Sequence, residues 1–364
     1  MLLNLMRKML PRERVRSHSS QNRLVKYALM EPRTSFFMPG NRSFEAAGRR
    51  EPASAMNQLK VLISLITNDN DFQLEQAASA KAAAAQCGAT IEIIYAGNDA
   101  VAQTQQILNY VQEPGKRPDA ILVEPVGTGM AQVAHAAVSA GIAWGVVNTD
   151  VDYIARLRSH ALVPTFVVMS DHKEVGCIQG RQIGALLGEK GCVLCIEGPS
   201  GREVAKLRSA GMLTTKPAAV DVKTLRGDWT QQSGYQAIKS WLSLSTSKQL
   251  NVGMIACQND AMAMGARKAF SELGNLNERD EWLRLPITGV DGVPKSGQAW
   301  VREGMLTATV ICPPLMGHAL TLLAQALQSG AQPDERTLIP PVSYPKIEEL
   351  TPKTLTHAAG KSKC

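Results

Sequence analysis

The stretch VGMIACQNDAMAMGARKAF, residues 252–270, decides the fold of this chain. Its first six residues are continuously apolar, as in a β-strand that is covered on both faces of a sheet. Asn259 and Asp260 follow, and the remainder carries apolar residues at helical spacing. A buried strand that leads directly into a helix predicts one unit of a parallel α/β sheet.

The same unit recurs over most of the chain, on both sides of this stretch. Strand-like runs lie at 60–66, 90–96, 120–125, 143–148, 165–170, 192–198, 220–227, 252–258, 286–292 and 306–312. Helical stretches lie at 71–87, 99–112, 128–140, 171–188, 202–215, 230–246, 259–273 and 313–329. Because ten strands would form an unusually wide sheet, the pattern predicts an α/β fold with two Rossmann-like lobes, each with its own parallel sheet.

The net charge of +7 is concentrated in the first part of the chain. Residues 1–55 hold 11 Lys and Arg against 4 Asp and Glu, and the remainder holds 28 of each sign. Residues 1–56 also lack helical or strand periodicity, so we expect a basic, disordered leader there. The neutral remainder argues against a nucleic-acid partner. The sequence also lacks the run of about 18 apolar residues that membrane insertion would need.

Motifs typical of enzymes and metal sites are absent from the sequence. No GxGxxG follows a predicted strand, and there is no Walker lysine motif, no GxSxG and no HExxH. The six histidines are scattered. Cys192 and Cys195 lie inside a predicted strand, whereas a CxxC metal or redox site usually lies at a turn. We therefore expect no catalytic residues, no cofactor and no metal site.

Polar and aromatic side chains collect where the predicted strands end, which is where parallel sheets bind their ligands. The candidate ligand-binding residues are Asn70, Phe72, Gln73, Asn148, Asp150, Arg208, Trp229, Asn259 and Asp291. Carboxylates and amides form hydrogen bonds with hydroxyls, and aromatic rings cover the apolar faces of a sugar ring. The set predicts a site for a small, polar, sugar-like ligand. Structural interpretations stay open, such as helix N-caps for Asn259 and Asp150 and an ion pair for Arg208.

Three segments carry a family resemblance that covers roughly residues 58–345. They are CQNDAMAMGARKAF (257–270), GVDGVPKSGQAWVREGMLTATVICPP (289–314) and SDHKEVGCIQGRQIGALL (170–187). They resemble the type I periplasmic binding proteins, in particular the ribose/galactose-type sugar-binding branch. That branch shares its fold with the effector domain of lac-repressor-like regulators.

The resemblance implies how individual residues contact the ligand. The implied contacts are Asn70, Phe72, Arg208, Trp229, Asn259 and Asp291, with Phe72 and Trp229 covering the two faces of a sugar. Asn148 lies where the family often has Asp, just before Thr149, where it often has Arg. Ile66, Gln73 and Cys312 are further departures from the family pattern. The resemblance therefore implies a sugar-like ligand without implying ribose or galactose.

The resemblance also implies a hinge of three crossings between the lobes, near 170–171, 312–313 and 340. The first lobe is then expected to comprise residues 57–170 and 313–340. The second is expected to comprise residues 171–312 and 341–350, followed by a tail at 351–364.

Three functions are open at this stage. The first is a solute-binding protein that closes over a sugar-like ligand, for uptake or for sensing, with a membrane transporter or a signalling protein as its partner. The second is a cytoplasmic ligand-sensing domain of a signalling or lac-repressor-like system. A repressor would need a helix-turn-helix ahead of the core, and residues 1–55 show no helical pair. The third is a small-molecule enzyme on a doubly wound fold.

The expected location follows from two features of the sequence. No secretory signal is recognisable at the start of the sequence, and the number of cysteines, seven, is odd. These features favour a cytoplasmic location over the periplasmic location that is typical of the family.

Overall fold

The computed structural model describes residues 58–352, which belong to one compact unit. The expected leader, residues 1–56, lies outside the described residues. The expected tail also lies outside them from residue 353 onward.

A six-stranded parallel sheet forms the first lobe. Its strands, in spatial order, are β11 (Arg336–Ile339), β5 (Thr165–Ser170), β4 (Ala143–Val147), β3 (Ala120–Val123), β1 (Lys60–Leu65) and β2 (Thr90–Tyr95). The central strands β3 and β4 are buried along their whole length, because helices cover both faces of the sheet. Large side chains such as Phe166 on one face and Trp144 on the other fill the two layers between sheet and helices.

A four-stranded parallel sheet forms the second lobe. Its strands, in spatial order, are β7 (Ala219–Arg226), β6 (Lys190–Glu197), β8 (Val252–Cys257) and β9 (Ile287–Thr288). A short antiparallel pair, β10 (Thr309–Ile311) with β12 (Val342–Tyr344), extends it. Single parallel bridges join Thr288 to Ala308 and Asp291 to Ile311, so β10 continues the edge that β9 begins.

Eleven α-helices occur in residues 58–352. They are α1 (Asp71–Cys87), α2 (Ala100–Gln112), α3 (Ala131–Ser139), α4 (Ile154–His160), α5 (His172–Leu187), α6 (Glu203–Thr215), α7 (Gln231–Leu242), α8 (Asp260–Ser271), α9 (Leu276–Arg284), α10 (Gly297–Arg302) and α11 (Met316–Ser329). The predicted α/β class and its parallel sheets are confirmed. All ten predicted strands form, while β11, β12, α4, α9 and α10 were not predicted.

The chain passes between the two sheets three times. It leaves the first sheet between β5 and α5, returns between β10 and α11, and leaves again between β11 and β12. These sheet memberships support the expected lobes, whose residue boundaries stay a prediction. Because the carboxyl ends of parallel strands meet at one edge of a sheet, both sheets can direct those edges toward a shared cleft.

Helices α5 and α6 of the second lobe pack so closely that their backbones are in contact. A Cβ added at Gly176 would lie 2.0 Å from the carbonyl oxygen of Arg208, and one added at Gly211 would lie 2.0 Å from that of Lys173. Only glycine allows this approach. The contact also fixes the position of α6, the helix that carries Arg208.

Replacing Gly176 with alanine is expected to destabilise the protein by about 1–3 kcal/mol, because the added methyl group overpacks the contact between the helices. Gly184, further along α5, provides a matched control. Its added Cβ would meet only the Pro217 ring, at 3.4 Å. There the higher helix propensity of alanine should make the change neutral or stabilising by up to about 1 kcal/mol. Urea unfolding of both variants measures the difference, and equal stability would contradict this account of the packing.

Candidate ligand-binding site

A cavity of about 340 Å³ lies between the lobes, at the carboxyl ends of strands from both sheets. Eight of the nine predicted residues line it: Asn70, Phe72, Gln73, Asn148, Arg208, Trp229, Asn259 and Asp291. These residues are separated by up to 221 positions along the chain, and the two-lobe topology brings them together. The cavity is large enough for a molecule the size of a monosaccharide.

Asp150 is the predicted residue that the structure does not place in the cavity wall. It is exposed, and its carboxylate accepts a hydrogen bond of 2.8 Å from Arg336 Nε. Its side chain also accepts a hydrogen bond from the N–H of Val151. Asn148, which lines the cavity, has a φ of 66°, and Asp150 follows it by two residues. Asp150 therefore anchors the edge of the first sheet.

The first-lobe wall is organised by Glu124, a residue absent from the predicted set. Glu124 follows β3 directly and is buried. Its Oε2 accepts a hydrogen bond of 2.9 Å from Gln73 Nε2, and its Oε1 accepts one of 2.8 Å from Asn148 Nδ2. Burial raises the pKa of Glu124, while these two hydrogen bonds and the charge of Arg202 act in the opposite direction. The carboxylate thus orients two predicted ligand-binding amides.

The amide groups of this wall differ in how much hydrogen-bonding capacity they have left. Gln73 Oε1 accepts a hydrogen bond from the N–H of Ile66, so both ends of Gln73 have protein partners. The Oδ1 of Asn148 is buried and has no partner in the described part of the chain. Asn70 Oδ1 caps α1 by accepting from the N–H of Gln73. Asn148 therefore keeps an acceptor that a ligand hydroxyl could use.

The second-lobe wall is built on Arg208 and Trp229. Arg208 is buried, and its Nη1 donates to the carbonyl oxygen of Gln258. Its Cζ lies 5.6 Å from the centroid of the Trp229 ring, in a cation–π arrangement. A Cβ added at Gly198 would lie 2.1 Å from the same ring, so the indole rests directly on the backbone there. The Nε of Arg208 is buried without a partner among the described residues, which leaves a donor for a ligand oxygen.

Asn259 joins the Trp229 loop to the start of α8. Its Nδ2 donates to the carbonyl oxygen of Trp229 at 2.7 Å, and its Oδ1 caps the helix by accepting from the N–H of Met262 at 2.9 Å. Asn259 is thus the N-cap of α8, and its side chain also holds the Trp229 loop. Both ends of the amide have protein partners, so Asn259 positions Trp229 at the cavity.

The carboxyl group of Asp291, in the cavity wall, has a second buried carboxyl group, that of Asp260, as its neighbour. Asp260 is buried and accepts hydrogen bonds from the N–H of Gly292 at 2.8 Å and from Thr309 Oγ1 at 2.7 Å. Burial, and then the charge of Asp291, raises the pKa of Asp260 well above its usual range. Burial also raises the pKa of Asp291, while the positive charge of Arg208 opposes that shift. Asp291 is the member of the pair that lines the cavity.

Backbone strain is concentrated around this cavity. Within residues 58–352, the non-glycine residues with positive φ are Asn98 (63°), Asn148 (66°), Trp229 (74°) and Asp291 (107°). All four line the cavity. Positive φ is uncommon for residues with a Cβ, and strained residues cluster at functional sites. These backbone conformations place two amides, an indole and a carboxylate around the same space.

The family follows from comparison with known proteins. The model of the periplasmic binding protein domain matches residues 61–332. The chain belongs to this family. Within it, the chain falls in the type I, ribose/galactose-type branch, and the fold of two lobes with parallel sheets is that of the branch.

Curated and solved members of the family match most of this periplasmic binding protein. The galactofuranose-binding protein YtfQ of Escherichia coli is 25% identical over 292 residues, which cover 79% of this chain and 87% of the relative. A periplasmic solute-binding protein of an ABC transporter from Actinobacillus succinogenes, solved with bound D-allose, superimposes with a TM-score of 0.68 at 19% identity. That match covers 80% of this chain and 99% of the other.

A second solved structure gives the same fold. It is an ABC transporter solute-binding protein from Bacillus halodurans with bound myo-inositol, which superimposes with a TM-score of 0.66 at 22% identity. The match covers 82% of this chain and 98% of the other.

Two further features of the periplasmic binding protein concern metals and membranes. Within residues 58–352, no group of three or more His, Cys, Asp or Glu side chains is placed to hold a metal ion. Among the helices of the same residues, none combines the length and apolar character that crossing a membrane requires.

Proposed function

We propose that this protein binds one small, uncharged, polyhydroxylated molecule between its lobes and delivers it to an ABC-type importer. The observation that carries the proposal is the convergence of eight polar and aromatic residues from both lobes on one cavity. Phe72 and Trp229 supply aromatic surface for the C–H face of a ring. Asn148 Oδ1 and Arg208 Nε supply a buried acceptor and a buried donor for hydroxyls.

The charges around the cavity support a neutral ligand. The ionisable side chains in its wall are Glu124, Arg202, Arg208, Asp228 and Asp291. Acidic and basic groups are thus mixed in the wall, so an ionic ligand of either sign would meet groups of its own sign. A ring with several hydroxyls can satisfy both kinds, because each hydroxyl donates and accepts.

The relatives support the same class of ligand. Their names and structures concern galactofuranose, D-allose and myo-inositol, which are sugars or a cyclic polyol. These relatives are binding proteins, and we propose that this chain likewise binds its ligand without transforming it. Ligand binding then stabilises a closed form of the two lobes, which the transporter recognises.

The proposed location changes with the family assignment. Nothing in the comparisons favours the cytoplasmic location that the sequence analysis preferred. Relatives such as the solute-binding protein of Actinobacillus succinogenes are periplasmic by name. We therefore propose the alternative, a periplasmic location, where an importer would receive the ligand.

Thermal unfolding of the full chain against sugars, cyclic polyols and nucleosides tests the proposal. A ligand at 100 times its Kd is expected to add about 2.7 kcal/mol to the free energy of unfolding. For a protein of this size, that should raise Tm by about 4 °C. The shift is expected to disappear in Trp229→Ala and Arg208→Ala. A shift with nucleosides or nucleotides and none with any sugar or polyol would overturn the proposed ligand class.

A further inference from the structure

Arg202 reaches across the cleft from the second lobe. It precedes α6, and its Nη2 donates to the carbonyl oxygen of Pro125, in the first lobe, at 3.4 Å. Its side chain is half-buried and lines the cavity. No other hydrogen bond of its guanidinium is made with the described residues. Most of its five N–H donors are therefore available to a molecule in the cavity.

Glu124 lines the same cavity from the first lobe. Each of its carboxylate oxygens accepts one amide N–H from its own lobe, from Gln73 and from Asn148. A carboxylate can accept about four hydrogen bonds in all, so acceptor capacity remains. The two charges also attract each other: Glu124 opposes the lowering of the Arg202 pKa by burial, and Arg202 opposes the raising of the Glu124 pKa by burial.

The chemistry of this pair selects a hydroxyl as the group that fits between them. An ionised carboxylate only accepts hydrogen bonds, and a guanidinium only donates them. A hydroxyl placed between them donates to Glu124 and accepts from Arg202 at the same time. An ether oxygen or a C–H group would satisfy at most one of the two, and an unsatisfied buried polar group is costly.

We propose that Arg202 and Glu124 form a cross-cleft pair that binds one ligand hydroxyl and thereby determines which stereoisomer closes the protein. This inference rests on the proposed function, because it assigns specificity within the same cavity. The two residues belong to different lobes, so a ligand gains both contacts only when the lobes close. The pair therefore couples closure to the position of one hydroxyl, and its loss should act mainly by speeding ligand release.

The test compares Arg202→Gln with a matched control on α6, the helix that Arg202 precedes. Lys206 lies one turn along α6, is exposed, and forms a salt bridge of 3.6 Å with Glu203. Calorimetric titrations of D-galactose, D-allose, L-arabinose and myo-inositol give the Kd of the wild type and of each variant. Arg202→Gln is expected to raise the Kd of the most tightly bound probe about tenfold. It should also reduce the ratio between the Kd values of the weakest and the most tightly bound probe. Lys206→Gln should leave the Kd of that probe and the ratio of Kd values within about twofold of the wild type.

A double-mutant cycle separates ligand recognition from a purely structural role. Arg202→Gln, Glu124→Gln and the double variant are titrated with the same probe, and their ligand-free Tm values are recorded. Because both residues bind one hydroxyl, the losses in affinity should be strongly non-additive. The ligand-free Tm of Arg202→Gln should stay close to that of the wild type.

The outcomes distinguish this inference from the proposed function. If the wild type binds a probe and Arg202→Gln binds every probe with unchanged Kd values, the cross-cleft pair is overturned while the proposed function stands. Additive losses in the cycle would also overturn the pair. If no sugar or cyclic polyol shifts the Tm of the wild type, the proposed function fails and the inference fails with it.

Discussion

Replacing Arg208 with methionine is expected to weaken binding of the ligand by at least about thirtyfold. Arg208 is buried in the cavity wall, and its Nε has no partner in the described part of the chain. Truncating a buried, hydrogen-bonded charge at an interface typically costs about 2–5 kcal/mol, and 2 kcal/mol corresponds to about thirtyfold in Kd. Methionine fills much of the same volume and preserves contact with Trp229. The loss of affinity therefore measures the contribution of the guanidinium group.

Calorimetric titration measures this loss with the probe that gives the largest thermal shift in the wild type. Arg181→Met is the matched control. Arg181 lies on α5, and its side chain is 42% exposed in a salt bridge with Glu174. Exposed pairs of this kind contribute little, so the control should bind within about twofold of the wild type. An Arg208→Met variant that binds as tightly as the wild type would remove Arg208 from the site.

The core of the fold was predictable because the central strands are covered on both faces. Such strands appear in the sequence as continuous apolar runs. The strands β3, β4 and β8 have this pattern and are buried at every residue. The edge strand β11 carries no such signal, since it alternates between exposed and half-buried residues. The strand β12 has only three residues, and its pairing with β10 depends on contacts that the local sequence does not encode.

The site was predictable to the extent that topology determines it. Residues that directly follow strands gather at one edge of a sheet, which explains why Asn148 and Trp229 line the cavity. The side-chain partners were not predictable in this way. Glu124 falls within the apolar run that predicts β3, and its partners Gln73 and Asn148 lie 51 and 24 positions away.

Asp150 and Arg202 show the limit of a rule based on strand ends. The partner of Asp150 is Arg336, which lies 186 positions away in β11, a strand that the sequence did not reveal. Arg202 precedes a helix of the second lobe, and its position at the cavity depends on how the two lobes face each other. That arrangement is a property of the whole fold. Sequence patterning predicted the two lobes and their binding edges, while the contacts across the cleft required the structure.

The hinge contains a histidine that is expected to make stability depend on pH. His172 begins α5 at the first crossing between the lobes and is 1% exposed. Its Nε2 forms a hydrogen bond of 2.9 Å with the carbonyl oxygen of Asn148. Burial, and then the positive charge of Arg208, lowers the pKa of His172 from 6.5 to about 3. The folded protein therefore holds this side chain neutral at pH values where the unfolded chain protonates it.

Below pH 6.5, His172 is expected to lower the free energy of unfolding by about 1.4 kcal/mol per pH unit, because the unfolded state binds a proton that the folded state excludes. Above pH 6.5 this contribution of His172 to stability is fully present. As the pH falls, it is lost progressively until the pH reaches the pKa of His172 in the folded protein, about 3. Buried carboxyl groups with raised pKa values, such as Glu124 and Asp291, act in the opposite direction. A comparison with His172→Gln cancels them, since glutamine keeps an N–H donor for the Asn148 carbonyl and does not titrate.

Urea unfolding of the wild type and of His172→Gln between pH 7 and pH 5 measures this contribution. The stability of the wild type relative to the variant is expected to fall by about 2 kcal/mol between pH 6.5 and pH 5, from the same linkage. The difference between the two curves at each pH isolates the contribution of His172, because every other titrating group is common to both proteins. Parallel curves for His172→Gln and the wild type would show that the hinge histidine takes up its proton as readily in the folded protein as in the unfolded chain.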